Sequence, residues 1–307
     1  MEKVSILHLI TPAKNASPFD VNMAFDAGFD KIMPYTNVTL NEVPGLVQDA
    51  IFSRSPSGVK REVVFIGGRD IDLAMDMLAA AKNVMFPPFQ FSVLADPSGA
   101  FTTAAAMLAK VDFHLNKHFQ TGVAGKKVAV FGATGPVGGC AAVIAAKLGA
   151  QVELVAHKRL EDVHKKAESY NQRYGTAISY ADGSTEANKQ VILESVDVAL
   201  CCAAVGVRVL TSVQIANSSI IKVIADVNAV APTGAEGVEV MADGVAIGGT
   251  NVIGIGALAI GNLKYATQHN LLKQMLAAHK FNGEVNDKPC YLEFMAAFEM
   301  AQHLTRV

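Results

Sequence analysis

Residues 127–139 read KVAVFGATGPVGG: a β-branched apolar run, a glycine-rich turn, and the start of an apolar helical pattern that continues to Leu148. That order is the strand, turn and helix of a dinucleotide-binding unit. Glycines there let a pyrophosphate approach backbone N–H groups, and the positive end of the helix favours its charge. Gly135 and Gly138 have the spacing of the last two glycines of GxGxxG, while Ala133 stands where the first is usual and Gly132 lies one residue earlier. The pattern is weak alone and gains weight from its setting between strand and helix. The candidate nucleotide contacts of the turn are Gly132, Ala133, Thr134, Gly135, Pro136, Val137 and Gly138.

Outward from this turn, short β-branched runs alternate with helical patterns, as in parallel α/β sheets. After the turn come strand 151–156, helix 160–174, strand 177–180, helix 186–195, strand 197–202, helix 212–216 and strand 220–226. Before it come strand 4–10, a helix opened by Ser17, strand 31–34, helix 41–52, strand 63–67, a helix from Asp70 and a strand near 91–94. Apolar residues at helical spacing predict a long helix over 102–119, and another runs from Leu258 to His279 before the tail. The expected fold class is α/β, with two α/β domains of parallel sheets and a cleft between them. Residues 1–98 with about 270–307 form one domain, and 99–269 form a Rossmann-type domain.

The second strand of that domain ends in His157-Lys158-Arg159, where an acidic residue would accept the ribose hydroxyls of NAD and repel the phosphate of NADP. A basic triplet predicts NADP, with NAD as a weaker possibility. A solvated basic loop at a helix start is the other reading. Glu153 lies four residues early and does not restore an NAD site.

Of the 307 residues, 51% are hydrophobic and 18% charged, with net charge −2, so apolar material suffices for two cores and no broad field marks a nucleic-acid or lipid partner. No apolar run approaches the about 18–20 residues of a spanning helix, and the N-terminus has no secretory pattern. A cytoplasmic protein with a small-molecule partner is expected. Cys140, Cys201, Cys202 and Cys290 lack CxxC spacing and histidine partners, so buried thiols and no metal are expected. Hydride transfer is the usual chemistry of such a domain, but TGxxxGxG and YxxxK are both absent. A reaction that takes no proton from a hydroxyl would need no such base.

The runs SPFDVNMAFDAGFDKIMPYTNVT (17–39), ADPSGAFTTAAAM (95–107), ATGPVG (133–138), DVNAVAPTG (226–234) and GIGALAIGNLKY (254–265) together resemble the bacterial methylene-tetrahydromethanopterin dehydrogenases, which group with the methylene-tetrahydrofolate dehydrogenases of methylotrophs. The resemblance spans nearly the whole chain. It implies oxidation of N5,N10-methylene-tetrahydromethanopterin to the methenyl form, with NADP or NAD accepting hydride, in a homotrimer of two-domain subunits. The pterin nitrogen lone pair expels the hydride and leaves a delocalised cation, so the protein's task is positioning. The same reaction on methylene-tetrahydrofolate, or NADP binding without turnover, are the alternative readings.

With the resemblance in hand, Lys264, Asp20 and Asp96 are the candidate catalytic residues. Asp20 is read either as a partner of pterin nitrogens or as an acid favoured by the helix dipole. Asp96 contacts pterin or caps the long helix. Thr102 and Thr103 bond nicotinamide or substrate, or else backbone. Lys264 matches the family's lysine in GNLKY and orients substrate, or is a helix-surface lysine. Asn228, after Asp226 at a strand's carboxyl end, is expected to face the ligand, and Lys14 and Asn15 are further substrate candidates. His8 lies within an apolar strand and is read as structural.

Overall fold

The computed structural model describes residues 4–277 and 288–306. The chain forms two units, one reaching to Thr102 and resuming from Tyr265 to Met300, the other running from Thr103 to Lys264 with the tail from Ala301. In chain order the elements begin with β1 (Ile6–Ile10), α1 (Pro18–Ala27), β2 (Lys31–Tyr35), α2 (Val43–Phe52), α3 (Pro56–Val59), β3 (Glu62–Ile66), α4 (Ile71–Asn83), β4 (Ser92–Ala95) and α5 (Ala100–Phe119). They continue with β5 (Lys127–Phe131), α6 (Pro136–Lys147), β6 (Gln151–Ala156), α7 (Leu160–Tyr174), β7 (Ser179–Asp182), α8 (Glu186–Leu193), β8 (Val198–Cys201), α9 (Ser212–Asn217) and β9 (Val223–Asp226). The last are β10 (Asp243–Ala246), β11 (Ile253–Ile255), α10 (Ala257–Leu276), β12 (Tyr291–Leu292) and α11 (Phe294–Arg306).

Local chemistry explains where the elements start. The Ser17 hydroxyl accepts the Asp20 amide at the head of α1, and Asp70 accepts the amides of Asp72 and Leu73 at the head of α4. The helix expected from Asn41 opens as a 3-10 turn, because Glu42 reaches back to the Thr39 amide at 2.7 Å. The strand expected at 177–180 slides to Ser179–Asp182, since the Asn171 side chain holds both the amide and the carbonyl of Ile178. The short strands β10, β11 and β12 were not anticipated. Leu258–His279 was expected as one helix, and its far end at His279 lies outside the described residues.

The first unit carries a five-stranded parallel sheet in the order β12-β4-β3-β1-β2. The second carries seven strands in the order β10-β11-β9-β8-β5-β6-β7, parallel except for β10. This is the doubly wound, Rossmann-type arrangement, and its order reverses between β5 and β8. Strands β8 and β9 are buried along their whole length, as expected for strands covered on both faces. At the rim, Asp243 of β10 accepts Lys110 Nζ at 2.8 Å and His114 Nε2 at 2.9 Å from α5. The register shifts between Asp243 and Val245, and Gly244 has φ +81° with the His114 ring packed where a β-carbon would project.

Among the described residues no helix is long and apolar enough to cross a membrane, and no cluster of three side chains is arranged to ligate a metal. All four cysteines are free; Cys140 and Cys201 are buried, and burial pushes the thiols of Cys201 and Cys202 well above their ordinary range.

Candidate functional site

The glycine turn joins β5 to α6. Gly132 takes φ +81°, and a β-carbon there would overlap the Cys202 carbonyl at the end of β8. A β-carbon on Gly138 would lie 2.6 Å from the Gly132 carbonyl oxygen. Both positions therefore require glycine, one for the turn and its contact with β8, the other for seating the helix on the turn. Gly135 is the N-cap and Pro136 the first helical residue, so the amides of Val137 and Gly138 have no acceptor within the helix. Ala133 is buried, whereas Thr134 and Pro136 are exposed. The turn is a backbone cradle for an anion at the positive end of α6.

Beside it, at the carboxyl ends of β6, β7 and β8, lies a pocket of about 290 Å³. Gly132 and Ala203 form part of its lining, and Val155, Val207 and Val209 give it apolar walls. Its basic residues are His157, Lys158, Lys189 and Arg208. Lys189 is tied to Glu186 at 2.8 Å and to the Val209 carbonyl at 3.0 Å. Arg208 donates from Nε to the Thr233 carbonyl at 2.8 Å and pairs with Glu236 at 2.9 Å. His157 and Lys158 are exposed at the rim and have no hydrogen-bond or ion-pair partner among the described residues. Arg159 does not line the pocket. It forms a two-point pair with Asp162 at 2.9 and 2.8 Å, so its charge is spent on the first turn of α7.

The segment after β9 is held from below. Asp226 is buried, and its carboxylate accepts the amides of Asn228 and Ala235 at 2.9 Å each. Burial raises its pKa, against the lowering effect of these amides. Asn228 is buried too, with its side-chain oxygen on the Val230 amide and its nitrogen on the Pro232 carbonyl. The Asn228 side chain shapes the loop with one bond from each of its polar ends.

In the first unit, Asp20 sits in the first turn of α1, about 5% exposed, and accepts Gln268 Nε2 at 3.1 Å from α10. Lys264, the residue at which the second unit ends, lies one turn before Gln268 on α10 and is half-buried. Asp96 is fully buried. One oxygen accepts the amides of Phe101 and Thr102 at 3.0 and 3.1 Å, and the other accepts the Thr102 hydroxyl at 2.6 Å. Of the two readings of Asp96 the structure displays the cap, and Thr102 is its partner. Thr103 follows, half-buried on α5. Lys14 and Asn15 are exposed on the loop after β1, which is pinned by the Asn37 amide on the Ala13 carbonyl. His8 is bonded through both ring nitrogens, to Tyr35 and Glu62.

The profile of the methylene-tetrahydromethanopterin dehydrogenase N-terminal domain matches residues 18–98. The NAD(P)-dependent methylenetetrahydromethanopterin dehydrogenase of Methylorubrum extorquens is 43% identical over 297 residues, 97% of each chain. The chain belongs to the methylene-tetrahydromethanopterin dehydrogenase family. A bifunctional protein of the same organism, MdtA, is 34% identical over 248 residues, 81% of this chain and 84% of that one. Among solved structures, shikimate 5-dehydrogenase from Listeria monocytogenes superposes with a TM-score of 0.50 at 13% identity, over 91% of this chain and 93% of that one. At that distance the likeness speaks to the fold alone.

Within this family member, the residues that sequence reasoning did not single out are Lys189, Arg208 and Gln268. Gln268 was the most accessible of them, four residues beyond Lys264 on a helix that the GNLKY run already marked. The pocket-lining segment 203–209 carries no glycine signature of the nucleotide kind, and only the return of the chain past β8 brings it beside His157 and Lys158.

Proposed function

We propose that this member of the family is an oxidoreductase that takes a hydride from N5,N10-methylene-tetrahydromethanopterin and gives it to NADP, forming the methenyl cation and NADPH. The relationship to an NAD(P)-dependent enzyme over the full chain supports the reaction. The observation that carries the cofactor choice is Lys158, an unpaired cation at the rim of the β6 pocket with no carboxylate at the ribose position. Glycine-only positions in the turn make a cradle that fits a pyrophosphate, and the pocket beside it fits the adenosine half. When bound, the nicotinamide supplies the hydride acceptor. The chain's own work is then to bind, to align and to keep the pterin in register.

In this reading the substrate side is the first unit together with Thr103 and Lys264, the residues of the second unit that adjoin it in the chain. Asp20, fixed by Gln268, presents a hydrogen-bond acceptor for pterin nitrogens, and Lys264 orients the ring, with Lys14, Asn15 and Thr103 as outer contacts. Asp96 and Thr102 act by holding the head of α5. A homotrimeric, cytoplasmic enzyme of one-carbon metabolism that oxidises formaldehyde-derived carbon completes the proposal.

Absorbance at 340 nm with methylene-tetrahydromethanopterin or methylene-tetrahydrofolate, each paired with NADP or NAD, tests it. Strong NADPH formation with the methanopterin substrate is expected. Turnover only with the folate would move the substrate, and tight NADP binding without turnover on either would make the chain a nucleotide-binding protein.

A further inference from the structure

We propose that Arg208 is the adenine-recognising residue of the nucleotide pocket: its guanidinium, held in one plane by Thr233 and Glu236, stacks on the base and leaves the 2′-phosphate to Lys158. This rests on the assignment of the β6 pocket to the adenosine half of NADP. Arg208 is a basic residue lining that pocket whose guanidinium is fixed at two points, Nε on the Thr233 carbonyl at 2.8 Å and Nη1 on Glu236 at 2.9 Å. Two anchors on one rigid fork fix its plane as well as its position. The valines on either side of it in the chain, Val207 and Val209, line the same pocket, and Val155 adds a further apolar wall from β6. An apolar slot with one planar cationic wall is the environment a flat aromatic base takes, since a guanidinium offers both stacking and cation–π attraction.

The charges separate this role from phosphate binding. Glu236 is held below the ordinary carboxylate range, chiefly by the Ser212 amide and then by Arg208 itself, so it is ionised at neutral pH and cancels the charge of Arg208. Lys189 is likewise matched by Glu186. A dianionic phosphate at this pocket therefore finds its uncompensated cation in Lys158, which sits on the β6 side where the ribose is expected. Arg208 comes from the opposite wall, after β8. Base and phosphate are read by different strands.

Calorimetric titration with 5′-AMP and 2′,5′-ADP separates the two contacts without any turnover. R208A is expected to weaken both fragments by the same factor, about ten-fold. K158A is expected to weaken 2′,5′-ADP alone, by about ten-fold or more. Because R208A also releases the Thr233 carbonyl and Glu236, R208K is the deciding variant: it keeps a charge for Glu236 but has no plane, and its AMP affinity should fall with that of R208A while its melting temperature stays near that of the parent. Parent-like AMP binding by R208K, or a loss in R208A confined to 2′,5′-ADP, overturns the assignment of Arg208. If the unaltered protein binds neither fragment, the nucleotide reading of the pocket falls first.

Discussion

In the seven-stranded unit the strand order reverses between β5 and β8, and the crevice there is made of backbone: Gly132 and Gly138 leave no room for side chains. In the five-stranded unit it reverses between β1 and β3, and the segments that follow β1 and β4 are fastened by side chains. Asp20 is joined to Gln268 across 248 positions of sequence, and Asp96 gathers two amides and a hydroxyl at the head of α5. A backbone crevice suits a ligand part that is always the same, such as a pyrophosphate. Side-chain fastenings let the other unit be tuned to a particular ring, at the cost of burying polar groups that must all be matched.

If that contrast is right, the largest effect belongs to the backbone crevice. Gly138→Val drives a branched side chain into the Gly132 carbonyl, and calorimetric NADPH affinity should fall by more than about 100-fold, because the amides of α6 can no longer reach the pyrophosphate. Affinity retained within ten-fold would detach the turn from the nucleotide. Next, Lys158→Ala should raise the KM for NADP about 10- to 150-fold and spare NAD, from loss of one charge-assisted contact of about 1.5–3 kcal/mol. Equal losses for both cofactors would end the phosphate role.

The other unit should respond in stability. Asp96→Ala leaves two helix-start amides without their acceptor and the Thr102 hydroxyl with only the longer bond to the Gly99 carbonyl, and urea unfolding should show a loss of about 2–3 kcal/mol with NADPH affinity unchanged. A parallel fall in NADPH affinity would mean that the two crevices are not independent. A pH effect comes from the second unit's rim. Burial lowers the His114 pKa from its ordinary 6.5, against the raising effect of Asp243, so the folded ring stays neutral where the unfolded one begins to charge. Its contribution is complete above pH 6.5 and drains away as the pH falls below that value. The melting temperature should drop as the pH falls below 6.5, and His114→Gln should flatten the drop. The smallest effect is expected from Arg159→Ala. Its exposed pair with Asp162 is worth at most about 0.5 kcal/mol, and the KM for NADP should move less than about two-fold.

How much of this was legible in the sequence follows the same division. The runs Val128–Phe131 and Val152–Ala156 announce buried parallel strands, and the glycines between β5 and α6 announce their own necessity, because both signals are local. The rim strands were not legible. Asp243–Ala246 carries no strand pattern of its own; it pairs with β11, and Lys110 and His114, more than 120 positions earlier, bond its first residue from α5. Asn228 was expected to face a ligand because it ends a strand on the ligand side, and its bonds to Val230 and Pro232, which hold the loop, gave no sign in the sequence. Arg159 was grouped with its neighbours His157 and Lys158, and the pair it makes with Asp162, three residues on, sets it apart from them. Gln268 lay one turn past the marked Lys264, but its bond to Asp20 of α1 has no counterpart in the local sequence.

The rim has a consequence for how the protein keeps company with itself. A terminal strand of a sheet is a template on which a foreign strand can add, and aggregation starts from such borders when they are straight. Here β10 runs against the direction of its neighbours and is broken in register at Gly244, where the His114 ring occupies the place of a side chain. The break in the border is set by the close approach of His114 to Gly244. A foreign strand adding at this border would meet that break in register first.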